Sequence, residues 1–118
     1  MRWLAHTATT AGPIDPLLSE VITADTNGDG VDEYYLINYE QTNTGMIEVH
    51  GWSNNGISWF RHTATSHPAA SMNTGRVIAA DLDGDKKDEF IYVKYGDTSS
   101  GRVEFHVWDA SLKNWTRH

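Results

Sequence analysis

The chain has 118 residues, enough for one small domain with a modest core. Its net charge of −7 argues against nucleic-acid binding, which needs a basic surface. It has no cysteine for disulfides or zinc–thiolate sites, and no apolar run long enough for membrane insertion.

The opening "MRWLAHTATT" lacks the apolar core of a signal peptide, so a secreted form would carry its signal outside this chain. "PIDPLLSE" (13–20) has room for one short helical turn. "EVITA" reads as a first strand, followed by the acidic loop "DTNGDGVDE" (25–33). "EYYLINY" is apolar on both faces, which predicts a second strand with layers above and below. "MIEVHGW" alternates, placing Ile47 and Val49 on one face and Glu48, His50 and Trp52 on the other. "ISWFRHTAT" reads as a fourth strand, and "QTNTG" and "SNNG" are the turns between.

The pattern then recurs 56 positions later. "RVIAA", "DLDGDKKDE" (81–89), "EFIYVKY", "RVEFHVW" and "NWTRH" follow in the same order. Residues 7–62 and 63–118 share 20 identities in 56 ungapped pairs. Residues 2–9, "RWLAHTAT", also match 58–65, giving an extra fourth-type strand over 1–9. The predicted organisation is thus the strand at 1–9, one repeat over 10–65 and a second over 66–118. Each repeat is a four-stranded unit, and stacked four-stranded units are the blades of a β-propeller. A β-sandwich is the rival, but an ungapped four-strand repeat favours blades. The expected fold is therefore all-β, two four-stranded β-propeller blades. Two blades cannot close a ring, since propellers use about four to eight. Homo-oligomerisation would complete the propeller, with three chains and six blades as the first geometry.

The acidic loops place oxygen side chains at alternate positions around a Gly-rich bend, as a short loop does to wrap a hard cation. An EF-hand is excluded, because its twelfth-position Glu would fall on Leu36 or Tyr92 and a strand follows in place of a helix. "DTNGDGVDE" and "DLDGDKKDE" resemble the calcium loop of FG-GAP/VCBS repeats, the blades of integrin-α-type propellers. The resemblance implies two Ca2+ per chain. The first would be held by Asp25, Asn27, Asp29, the Val31 carbonyl and Glu33, the second by Asp81, Asp83, Asp85, the Lys87 carbonyl and Glu89. Asp32 and Asp88 fall beside the pattern, as caps of the next strand or supports of the ligands. Lys86 replaces the bend residue Gly30, where a left-handed backbone strains a side chain. The resemblance also implies an extracellular module.

His50 and His106 suit either a metal or base role or a packing ladder between blades. Trp52 and Trp108 read as core or as sugar platforms. Trp3, Trp59 and Trp115, with Arg61 and Arg117 nearby, suit the outer strand and read as packing or interface residues or as candidate glycan contacts. "NWT" (114–116) matches a glycosylation sequon, a motif common by chance. No nucleophile elbow, P-loop or metalloprotease motif occurs, so the expectation is a non-catalytic, lectin-like calcium module that binds carbohydrate. The alternative is a scaffold or protein-interaction blade pair without a glycan site.

Overall fold

A computed structural model describes residues 14–53, 59–96 and 98–117, with the backbone alone at Trp59, Phe60, His62, Thr116 and Arg117. Eight strands follow the predicted order: β1 (Ser19–Ala24), β2 (Glu33–Asn38), β3 (Met46–Trp52), β4 (Trp59–Pro68), β5 (Gly75–Ala80), β6 (Glu89–Lys94), β7 (Glu104–Trp108) and β8 (Trp115–Arg117). They form two antiparallel four-stranded sheets, ordered β1-β2-β3-β4 and β5-β6-β7-β8. No helix occurs among the described residues. At "PIDPLLSE" the chain makes a hydrogen-bonded turn, in which Leu18 N–H and Ser19 N–H both donate to the Asp15 carbonyl at 3.0 Å. The extra strand expected at 1–9 lies outside the described residues.

The two sheets repeat each other in register. Val21 faces Leu36, as Val77 faces Tyr92. Leu36 faces His50, as Tyr92 faces His106. Even the pairing irregularity before Trp52 recurs before Trp108. The turn chemistry also recurs. Gly45 and Gly101 adopt φ of 72° and 71°, a left-handed conformation that only glycine enters without strain. Beside them the Thr42 and Thr98 hydroxyls donate to the Met46 and Arg102 carbonyls at 2.6 and 2.7 Å.

The sheets stack face to face, as successive propeller blades do, and the main core lies between them. The first sheet contributes Tyr35, Ile37, Tyr39, Ile47 and Val49, and the second Val77, Phe90, Tyr92 and Trp108. Tyr35 meets Phe90 edge-on, with ring centroids 4.9 Å apart. Hydrogen bonds also cross the contact. The Tyr39 hydroxyl donates to Glu20 and accepts from Val77 N–H at 2.8 Å. Glu20 in turn lies 3.7 Å from Arg76.

The outer surfaces depart from the expected burial. Tyr34 is 43% exposed, so β2 is not sealed on both faces along its whole length. In the second sheet Val103 and Phe105 are 56% and 61% exposed, although their counterparts Ile47 and Val49 are wholly buried. Alternation along a strand shows that it has two faces. Which face is covered depends on the neighbouring sheet, and here a neighbour covers this face only in the first sheet. β7 also begins at Glu104, later than predicted, and β4 extends to Pro68.

Candidate metal centres in the acidic loops

Each loop is built by its own side chains folding back on its backbone. Asp25 Oδ1 accepts from Gly28 N–H at 2.9 Å and its Oδ2 from Gly30 N–H at 2.8 Å. Asn27 accepts from Asp29 N–H at 3.1 Å, and Asp29 from Val31 N–H at 2.9 Å. The second loop repeats all four bonds, from Gly84 and Lys86 to Asp81, from Asp85 to Asp83 and from Lys87 to Asp85, at 2.8–3.1 Å. These turns aim the carboxylates toward one point. Oxygens of Asp25, Asp29 and Glu33 lie within 4.8 Å of one another, and so do oxygens of Asp81, Asp83, Asp85 and Glu89. Asn27 holds the matching position in the first loop. Of Val31 and Lys87 the structure shows the N–H bonds into the turn.

The electrostatics of these clusters are unfavourable without a cation. Burial, then the carboxylates of Asp29 and Asp25, raises the Glu33 pKa above its ordinary value. Glu89 is likewise raised by burial and by Asp83, Asp85 and Asp81, against one hydrogen bond from Leu82 N–H. Glu33 is buried, and its Oε1 has no hydrogen-bond partner. An unpartnered buried carboxylate oxygen is costly. A hard cation inside the cluster would satisfy it and offset the repulsion, so the donor set fits the calcium that the loop pattern implies.

Lys86 adopts φ of 73°, close to the 84° of Gly30, so the lysine takes up the strained left-handed bend. Its N–H makes the bond that Gly30 makes, and the loop geometry survives the substitution.

The sequence reading gives Asp88 as a strand cap or a support of the ligands, but not the partner it has. It reaches the first loop across the sheet contact. Its Oδ2 accepts from Asp25 N–H at 2.8 Å, and its N–H donates to the Asp25 carbonyl at 2.7 Å. The available signal was that "DE" closes both loops, as Asp32–Glu33 and Asp88–Glu89. Asp32, its counterpart, is exposed and makes no hydrogen bond among the described residues.

The remaining candidates are dispersed. His50 and His106 pair with the Glu two residues before each, Glu48 and Glu104, at 3.1 and 3.0 Å. Trp52 and Trp108 are buried. Trp115 stacks on Trp108 with centroids 4.5 Å apart, and it also meets His106 and His67. Arg61 crosses to the second sheet, its guanidinium donating to the Ala110 carbonyl at 2.7 Å. It borders a cleft of about 490 Å³ with Asp83, Asp85, Lys87 and Asp109. Trp3 and the side chains of Trp59 and Arg117 lie outside the described residues.

Residues 25–92, from the start of the first acidic loop to the strand after the second, match the FG-GAP-like repeat. The chain belongs to the FG-GAP-like repeat family. Its two stacked sheets, with one acidic loop each between first and second strands, fit the propeller-type architecture of such repeats. No curated protein and no solved structure matches the chain significantly. No helix among the described residues is long and apolar enough to cross a membrane.

Proposed function

We propose that the chain is a calcium-stabilised, non-catalytic interaction module that works outside the cell and associates with its own copies. The observation that carries the calcium reading is the duplicated loop, with Glu33 Oε1 buried and unpartnered inside the first carboxylate cluster. Two bound Ca2+ would bring the net charge from −7 to −3, two charges per ion. Among possible partners, proteins are favoured over sugars by the packing of the described tryptophans. Trp52 and Trp108 are buried and Trp115 is stacked on Trp108, which leaves little open ring face for a glycan.

Calorimetric titration should find two Ca2+ per chain. With free calcium at about 100 times the dissociation constant, each site adds roughly 2.7 kcal/mol. Chelation should therefore lower Tm by roughly 15 °C or more for a domain of this size. An unchanged melting curve in chelator would overturn the calcium reading.

A further inference from the structure

We infer that the bare face of the second sheet docks head-to-tail on the first sheet of a second copy, reproducing the contact already made inside the chain. This rests on the self-association proposed above and identifies its surface. The internal contact is a template, because the two sheets are repeats. The first sheet offers Glu20, the Tyr39 hydroxyl, the Asp25 backbone and the apolar Ile47 and Val49. The second sheet answers with Arg76, Val77 N–H, Asp88 and Phe90.

Moving each residue to its counterpart 56 positions away gives the second contact. The second sheet then offers Arg76, Tyr95, the Asp81 backbone, Val103 and Phe105. The first sheet of another copy answers with Glu20, Val21 N–H, Asp32 and Tyr34. Both halves are open on the chain. Tyr95, Val103 and Phe105 are 49%, 56% and 61% exposed, and Val21 and Tyr34 are 51% and 43% exposed. An apolar group of this kind on one face marks an interaction surface. Asp32 has no hydrogen-bond partner among the described residues, and in the template its role is filled by a bond to the neighbouring loop.

The charges fix the occupant. Glu20 and Arg76 sit at the same repeat position with opposite sign, and they pair inside the chain. A second copy in the head-to-tail arrangement would again bring a Glu20 to Arg76, so charges alternate along the assembly. Two second sheets meeting through like faces would instead bring Arg76 toward Arg76. The contact is heterologous, and copies joined this way close into a ring or extend as a filament.

The test uses the full chain in calcium, with mass read by light scattering after size exclusion. Wild type should run as a multiple of 13.2 kDa. Phe105→Glu spoils only the second-sheet half and Tyr34→Glu only the first-sheet half, so each should run at 13.2 kDa. An equimolar mixture of the two should run at twice that mass, because one intact half remains on each chain. Val103→Glu and Asp32→Ala repeat the test at other exposed positions, the latter weakening association about tenfold by loss of hydrogen bonding to a charged group. Single variants that keep the wild-type mass, or a mixture that stays monomeric, would overturn this contact while leaving self-association to another surface. A monomeric wild type would overturn both.

Discussion

Ile47 and Val49 in the first sheet occupy the same repeat positions as Val103 and Phe105 in the second. The first pair is wholly buried, and the second is more than half exposed. The residues are similarly apolar and the strands pair alike, so the difference comes from what lies against the sheet. A repeat carries its backbone plan in its own sequence, whereas its burial is supplied by its neighbour. The acidic loops teach the same lesson on the polar side. They share four internal hydrogen bonds, yet Asp25 is clasped by Asp88 while Asp81 has no such clasp among the described residues.

The comparison is broken most severely by truncating the same position in both sheets. Ile47→Ala empties a wholly buried site and should cost about 2–5 kcal/mol in urea unfolding. Val103→Ala, at a mostly exposed site, should change the stability of the monomer by no more than about 0.5 kcal/mol. Equal losses would show that the two faces are equally covered in solution.

The clasp gives a second pair of matched substitutions. Asp88→Ala removes the carboxylate that accepts from Asp25 N–H, and should cost about 1.5–3 kcal/mol. Asp32→Ala removes a side chain with no hydrogen bond among the described residues and should leave the monomer's unfolding midpoint nearly unchanged. Because Asp25 is also a proposed ligand, Asp88→Ala should weaken the first calcium site more than the second.

A smaller effect separates the two bends. Lys86→Gly relieves a left-handed conformation that Gly30 adopts freely, and should stabilise the calcium-loaded chain by about 1 kcal/mol. A loss of stability on that substitution would mean that the Lys86 side chain makes a contact outweighing its backbone strain.

The repeat, the strand order and both loops were legible because each is a local pattern printed twice in one chain. Asx-type turns require only residues a few positions apart, so Asp25, Asn27 and Asp29 announced their own geometry. The left-handed strain at Lys86 was legible for the same reason, since Gly30 marks the equivalent bend. The Asp88 clasp was not, because it joins residues 63 positions apart whose proximity exists only after the sheets stack. Nor was the exposure of Val103 and Phe105, since their alternation with Glu104 and His106 suits a covered face as well as a bare one. Whether Trp115 packs or stands open was not legible either, because its stack on Trp108 forms only once β8 lies beside β7.

The smallest expected effect tests the edge of the same sheet contact, where His67 of β4 meets Tyr92 of the second sheet at 4.3 Å. Burial lowers the His67 pKa, Lys94 and His106 push it further down, and the Pro68 carbonyl opposes them. The unfolded chain therefore takes up this proton at higher pH than the folded chain. The neutral ring's contribution is complete above about pH 6.5 and is lost as pH falls from there through the lowered folded value. Wild type should thus lose stability relative to His67→Gln on going from about pH 7.5 to about pH 5. Urea midpoints of the two proteins at each pH measure the difference, in which the titration of the acidic loops cancels. A difference that stays flat with pH would mean that His67 is as hydrated in the folded chain as in the unfolded one, and that the sheet contact is looser at this edge than at Tyr35 and Phe90.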